Sequence, residues 1–224
     1  MATRPSLETQ CKTIGWGLSS LGAIRTGKKA WSFDGADNLN PEEVAARAVI
    51  AAGGDCSWCE GGSINLLLKA ATLPVLVRRN LFSDRQDAIR RFLEAQLTIL
   101  SEFGQELIDC SVTIPPVELR SNILEICSDG FIQDCYPRVR AAFVCTLAEA
   151  VSVDLRARML KTYLVKPYDY RAGWPDLTVI DRDGLSFIEV KTTDYLHESQ
   201  VRFAGEVAST LGLRCKVVQV IPIA

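Results

Sequence analysis

The sequence predicts an α/β fold in which a small sheet-containing unit follows a mainly helical middle region. Two observations carry this prediction. Apolar residues recur at three- and four-residue steps from position 84 onward, which is the period of an amphipathic helix. After Tyr168 the pattern changes to two short apolar runs joined by the turn sequence 181–184 (DRDG), which is typical of a β-hairpin. With 224 residues, the chain is long enough for one core with a helical elaboration.

The N-terminal part divides into an arm and a first helix. We interpret residues 1–38 as an irregular arm that packs by its aromatic side chains. Asn40 and Pro41 then form a helix start, and Glu43 completes a capping box that predicts a helix to about residue 52. A second helix is expected over 62–73, ending before Pro74 because proline disrupts helix interiors.

The middle of the chain is expected to be helical up to Pro167. One long helix is predicted from Asp84 to about Phe103, and two more over 117–127 and 137–163. We place a helical insertion at about 75–165 within a domain spanning 39–224.

The C-terminal part, about 168–224, is expected to form an α/β core. Strands are predicted over 177–180 and 185–191, antiparallel to each other. Asp194 is expected to cap a helix that Gly212 closes. A last strand over 215–221 is expected to run parallel to the preceding one, since a strand–helix–strand connection favours a right-handed crossover.

Composition narrows the classes of function. Apolar residues make up 48% of the chain and charged residues 23%, as in ordinary globular proteins. The formal net charge of -2 argues against a strongly basic protein that coats nucleic acid without specificity. Residues 1–10 hold no apolar signal segment and no run of 18 apolar residues occurs, so we expect a cytoplasmic site of action without membrane insertion. Delivery into target cells by a signal-independent machine is compatible with this.

A charged constellation lies at the end of the predicted hairpin. Glu189 and Lys191 alternate onto one face of an otherwise apolar strand, and Asp176 begins the partner strand. Burying such groups is costly unless they are paired or hold a metal. Two carboxylates, with the backbone carbonyl of Val190 between the functional side chains, suit Mg²⁺, and Lys191 could stabilise charge on a phosphate. The plainer alternative is a turn-capping aspartate with a strand ion pair.

The motifs resemble those of a known family. The runs 173–179 (GWPDLTV) and 188–191 (IEVK), followed by Asp194, Leu196 and Gln200, closely resemble the VRR-NUC subfamily of the PD-(D/E)xK nuclease superfamily, and in particular the nuclease domain of the Fanconi-associated nucleases. The resemblance implies a restriction-endonuclease-like core with a large α-helical insertion. It also implies that Asp176, Glu189 and Lys191 are catalytic.

An upstream segment extends the resemblance. The run 59–63 (CEGGS) is similar to a family segment that carries a glutamate, and this implies Glu60 as a third carboxylate ligand. The chain departs from the family by lacking one residue between Lys191 and Asp194 and by an extra glycine at Gly62.

Several residues near the motifs keep two interpretations. Gln200 lies on the apolar stripe of its helix, so it either bonds a catalytic group or is a plain surface residue. His197 either contacts phosphate or lies exposed in a first helical turn. Trp174 either stacks on a base or packs in the core.

The resemblance implies a Mg²⁺-dependent DNA nuclease, with Mn²⁺ as a substitute metal. Two uses are open: structure-specific repair, or an antibacterial DNase toxin that a neutralising immunity-type protein would cover. A non-catalytic nucleic-acid or protein interaction module that retains the fold is the alternative. We expect a monomer rather than a dimer.

Overall fold

The computed structural model describes residues 5–80, 84–193 and 195–223. The chain forms two compact units. The first combines the stretch up to Glu60 with the stretch from Gly173 onward, and the second is Gly61–Ala172. The helical unit therefore starts earlier and ends later than the predicted insertion at 75–165.

The first unit is built on a mixed seven-stranded sheet with the order β3-β2-β1-β7-β6-β5-β4. Its strands are β1 Gly17–Arg25, β2 Trp31–Phe33, β3 Ala36–Leu39, β4 Asp55–Trp58, β5 Leu177–Asp181, β6 Gly184–Lys191 and β7 Cys215–Ile223. Strand β7 is parallel to both β1 and β6, and the other neighbours are antiparallel. The predicted hairpin and the parallel last strand are confirmed.

The interpretation of residues 1–38 as an irregular arm was wrong. Helix α1, Leu7–Ile14, is followed by β1 to β3, and β1 pairs with β7 over eight residues. The pairing of β1 was not visible in the sequence because its partner lies about 200 residues further along the chain and β1 itself is largely exposed.

Two further helical stretches belong to the first unit. Helix α2, Pro41–Ala51, has the predicted capping box between Asn40 and Glu43. The helical stretch before β7 consists of α12 Glu198–Arg202, a π-helical turn Phe203–Ala208 and α13 Ser209–Leu211. Gly212 closes it in the left-handed conformation, as predicted. Its N-cap is His197, and the predicted cap Asp194 lies outside the described residues.

The two faces of β6 have different surroundings. Ile188 and Val190 belong to an apolar core with Val44 of α2. Phe187 faces the opposite way, 5.3 Å from the ring of Trp174, which in turn packs 4.6 Å from Phe203. The alternation predicted from the sequence is confirmed, and it sends Glu189 and Lys191 toward the face of Phe187.

Gly173 lies directly before Trp174, where the chain reaches the Phe187 face of the sheet. Its φ is +85°, and a Cβ atom there would lie 2.1 Å from the carbonyl oxygen of Ser199. We expect Gly173→Ala to lower the free energy of unfolding by about 3 kcal/mol, because backbone strain and overpacking add. Gly15 has a φ of +73°, and a Cβ atom there would meet no other atom within 4 Å, so Gly15→Ala is the control for strain alone, at about 1 kcal/mol. Equal losses in urea unfolding would refute the close-approach argument.

The second unit is helical. Its helices are α3 Gly62–Arg78, α4 Arg85–Arg90, α5 Leu93–Ile99, a 3₁₀ turn Ser101–Phe103, α6 Gly104–Thr113, α7 Pro116–Ser128, α8 Gly130–Cys135, α9 Ala141–Ala150, α10 Val153–Val165 and α11 Pro167–Tyr170. The stretch predicted as one helix over 137–163 is thus two, α9 and α10. No helix in the described part of the chain is both long and apolar enough to cross a membrane.

Helix α3 runs through Pro74, which contradicts the predicted end before this residue. Proline removes the N–H that would bond the carbonyl four residues earlier, at Ala70. The side-chain amide of Asn122 donates to that carbonyl at 3.0 Å. A tertiary hydrogen bond therefore replaces the one that proline removes.

The long helix predicted from Asp84 to Phe103 is instead divided between α4 and α5. Gln96 donates its side-chain amide to the Ala88 carbonyl at 3.0 Å, the group that Phe92 N–H would bond in a continuous helix. Buried Lys69 donates to the Arg91 carbonyl. These side chains satisfy the backbone groups at the break, so the helix need not continue.

Candidate active site

The C-terminal end of β6 carries a buried ion pair. Glu189 is 1% exposed and Lys191 is 4% exposed. The Nζ atom of Lys191 lies 2.9 Å from Oε1 of Glu189. Two charges removed from water in this way rarely add stability beyond that of an apolar pair, so the arrangement points to a role other than folding.

Asp176 joins this pair from the start of β5. Strands β4, β5 and β6 are paired in antiparallel register, which places Leu177 opposite both Trp58 and Ile188. The Oδ2 atom of Asp176 accepts a hydrogen bond of 2.8 Å from the Val190 N–H, between the two charged residues of β6. Sheet pairing and one side-chain hydrogen bond thus fix Asp176 beside Glu189.

Both carboxyl groups resist ionisation. Burial, and then the negative charge of Glu189, raise the pKa of Asp176 to about 8. Burial also raises the pKa of Glu189, against the opposing effect of Lys191. Two neighbouring acids whose charged forms are both disfavoured provide a site where a cation is electrostatically favourable.

One oxygen of the site lacks a partner. Oε1 of Glu189 accepts from Lys191 and Gln200, whereas Oε2 is buried and has no hydrogen-bond partner among the described residues. Such a group is costly and in native proteins usually marks a bound water or ion. The residues present therefore fit a hard divalent cation.

The fit is to a metal held by few protein ligands. Among the described residues, no three or more His, Cys, Asp or Glu side chains form a group that could hold a metal ion. Mg²⁺ is commonly bound through one or two carboxylates together with waters and substrate phosphates, so Asp176 and Glu189 suffice for it.

Glu60 lies at the edge of this site rather than within it. Its backbone N–H reaches the carbonyl oxygen of Asp176 at 3.4 Å, and its negative charge adds to the raised pKa of Glu189. Its side chain is exposed, and its backbone adopts a left-handed φ of 46°, which is strained for a residue other than glycine. A strained conformation held at such a position is typical of functional sites.

Gln200 connects the carboxylates to α12. Its side chain donates to Oε1 of Glu189 and accepts from the His197 N–H at 2.8 Å. The sequence-based interpretation of Gln200 as a partner of a ligand carboxylate has this geometric support, and the surface alternative does not, since the residue is buried.

Gln200→Ala is expected to lower the free energy of unfolding by about 1–3 kcal/mol, because the buried Glu189 oxygen and the His197 N–H lose a partner. It should also weaken the stabilisation of the protein by Mn²⁺. Gln10→Ala is a matched control, since Gln10 accepts from the nearby Leu196 N–H at 2.9 Å without touching Glu189. Thermal unfolding with and without Mn²⁺ distinguishes the two variants. If Mn²⁺ stabilised Gln200→Ala as much as wild type, a positioning role for Gln200 would be contradicted.

Of two neighbouring residues, Trp174 takes the structural interpretation and His197 keeps both of its interpretations. Trp174 is 2% exposed and packs between Phe187 and Phe203, which leaves it no free face for a base. His197 is exposed at the N-cap of α12.

Glu42 is a residue near the site that sequence reasoning missed. Its charge contributes to the raised pKa of Asp176. The sequence run at the start of α2 holds two glutamates, Glu42 and Glu43. The capping box uses Glu43 only. Glu42, which the cap leaves unused, was therefore the available signal of a charge near the site.

Comparison with known structures gives the fold. A crystal structure of paFAN1 bound to 2-nucleotide 5′-flap DNA with a gap has a TM-score of 0.60 and 14% sequence identity, and the match covers 100% of this chain and 39% of that one. A second, with a 1-nucleotide flap, has a TM-score of 0.57 and 16% identity over 93% of this chain and 38% of that one. The chain has the α/β fold of these proteins.

The resemblance to the Fanconi-associated nucleases predicted from the sequence is therefore confirmed in the fold. This chain spans about two fifths of the length of those structures. No family model matches it, and no characterised protein matches its sequence.

Proposed function

We propose that this chain is a Mg²⁺-dependent DNA nuclease that hydrolyses phosphodiester bonds, with Mn²⁺ as a substitute metal. The observation that carries the proposal is the buried, unpartnered Oε2 of Glu189 beside Asp176 and Lys191. The folds of DNA-bound paFAN1 structures support DNA as the substrate.

The metal would be held by Asp176 and Glu189, with the Val190 carbonyl and Glu60 as further proposed ligands. When bound, Mg²⁺ polarises a phosphate oxygen and lowers the pKa of a coordinated water. The protein's own part is electrostatic and positional.

Each protein group has a distinct task. The two carboxylates would hold the cation, which would supply the contact to the phosphodiester. The ammonium of Lys191 faces the negative charge that develops on the phosphate, and its ion pair with Glu189 fixes its position before substrate arrives. Gln200 holds Glu189 in place from α12.

The proposal is tested by DNA cleavage. Wild-type protein is incubated with supercoiled plasmid and with a labelled 5′-flap duplex, in Mg²⁺, Mn²⁺ or EDTA, beside Asp176→Ala and Lys191→Ala. Metal-dependent cleavage that both substitutions abolish is the expected result. An inactive wild type under every metal would instead favour the non-catalytic binding module, and active variants would exclude Asp176 and Lys191 from catalysis.

The biological use follows as a second test. The 5′-flap DNA in the paFAN1 structures favours structure-specific repair. Expression of the chain in bacteria distinguishes repair from a toxin use, because a toxin would kill unless its neutralising immunity-type protein is co-expressed. Solution mass would test the proposed monomer.

A further inference from the structure

A basic cavity lies in the first unit beside the end of β6. It has a volume of about 680 Å³, in the range of ligand pockets. The residues that matter for its chemistry are Arg25, Lys28, Lys29, Trp31, Glu42 and Thr192. Three cations thus face one carboxylate, which makes the lining unlike that of an apolar ligand pocket.

The basic end of the cavity is the loop between β1 and β2. Arg25 shapes this loop, since its guanidinium donates to the carbonyls of Gly27 at 3.1 Å and Lys28 at 2.9 Å. The guanidinium also lies 5.8 Å from the centre of the Trp31 ring, whose side chain is buried. The loop is therefore a fixed platform.

The two lysines of this platform are available to a ligand. Lys28 and Lys29 are exposed, and within the described residues neither forms an ion pair or side-chain hydrogen bond. Ordered loops that present adjacent unpaired ammonium groups suit phosphate oxygens, which lysine binds as a point charge.

The other end of the cavity lies beside the end of β6, where Val190 and Thr192 line it from the face opposite Lys191. It is linked to the candidate active site through the backbone, because the Val190 N–H donates to Asp176 at 2.8 Å. Glu42 lines the cavity too, and its charge acts on Asp176. The cavity therefore has a positive end at the loop and a negative end at Glu42.

We propose that this cavity is a substrate subsite that holds the sugar–phosphate backbone of a DNA strand next to the bond that is cut, with Lys28 and Lys29 contacting phosphates. This inference rests on the proposed function. The carboxylate of Glu42 repels phosphate at the other end of the cavity, so the charge gradient sets the register of the strand. Lys28 and Lys29 are thus positioning residues for DNA.

The test is DNA binding without catalysis. A fluorescein-labelled 5′-flap duplex is titrated in EDTA with wild type and with Lys28→Gln/Lys29→Gln, and anisotropy is followed over a range of salt concentrations. We expect the double variant to bind about 10-fold more weakly and its slope of log affinity against log salt to fall by about 1.4–1.8, roughly 0.7–0.9 for each lost phosphate contact. Arg182→Gln/Lys216→Gln is the control with the same charge change, because both residues are exposed and neither lines this cavity.

The outcomes separate this inference from the nuclease proposal. Loss of binding in the Lys28/Lys29 variant alone supports the subsite, even if no protein cleaves DNA with Mg²⁺. If the wild type cleaves DNA, and the Lys28/Lys29 variant binds and cleaves DNA as well as the wild type, the subsite is refuted and the nuclease proposal is retained. An equal loss in the control variant would also overturn it, as would a wild type that does not bind. All variants should unfold at the wild-type temperature, since the four side chains are exposed.

Discussion

Lys191→Met is expected to lower the rate constant of DNA cleavage under saturating enzyme by about 10²–10³-fold. Removal of one preformed donor to developing negative charge costs about this much in other hydrolytic sites. Methionine is an unbranched side chain only one heavy atom shorter than lysine and fills most of the same buried space, so the loss chiefly reports the charge. The measurement is single-turnover cleavage of a labelled flap duplex in Mg²⁺.

Two controls make this expectation specific. Lys216→Met removes an exposed lysine from β7 in the same sheet and should cleave at the wild-type rate. Circular dichroism must show that Lys191→Met is folded, because the change leaves Glu189 buried without its 2.9 Å partner. A folded Lys191→Met that cleaves within about threefold of wild type would exclude Lys191 from catalysis.

Asp176→Asn is expected to remove a pH dependence of stability that the metal-free protein shows between about pH 4 and pH 8. Burial and Glu189 raise the pKa of Asp176 to about 8 in the folded state, above the ordinary value of 3.8. The folded protein therefore holds a proton that the unfolded chain releases across this window. The contribution of Asp176 to stability is therefore largest at low pH and is lost as pH rises toward 8.

The size of this effect is on the order of several kcal/mol, since each pKa unit corresponds to about 1.4 kcal/mol. Asparagine keeps an oxygen for the Val190 N–H, so the substitution removes the charge and retains the 2.8 Å contact. In EDTA at pH 8.5, Asp176→Asn should thus be more stable than wild type. Mg²⁺ should reverse this order, because only wild type presents both carboxylates to the cation.

The measurement is the free energy of unfolding in urea at pH 5 and pH 8.5, in EDTA and in Mg²⁺, for wild type and for Asp176→Asn. Asp37→Asn, in an exposed strand position of the same unit, controls for a general change of net charge. Parallel pH profiles for wild type and Asp176→Asn in EDTA would show that Asp176 is ionised normally in the fold, and the electrostatic basis of the cation site would be lost.

Local patterns in the sequence predicted the part of the fold that carries the site. The hairpin of β5 and β6 and the cap at Asn40 depend on neighbours within a few residues, and both are found. The continuation of α3 through Pro74 depends on Asn122, and the break before Leu93 depends on Gln96. These are tertiary hydrogen bonds, so residue periodicity could not reveal them.

The candidate site shows the same division. Alternation along β6 was sufficient to pair Glu189 with Lys191, and the family resemblance identified Gln200. The cavity lined by Lys28 depends on strands from the N-terminal stretch that the sequence did not predict, and the nearness of Glu42 to Asp176 depends on the packing of α2 against the sheet. When several strands contribute residues to a site, sequence patterns can reveal the site only if one strand carries most of those residues.

The most direct test of the metal site is crystallography of the protein soaked in Mn²⁺, with an anomalous difference map collected near the manganese edge. We predict a peak within ligand distance of the Asp176 carboxylate and of Oε2 of Glu189, and its loss in Glu189→Gln crystals. A map without a peak at these oxygens, or with a peak that persists in Glu189→Gln, would contradict the assignment of this site as a metal-dependent nuclease centre.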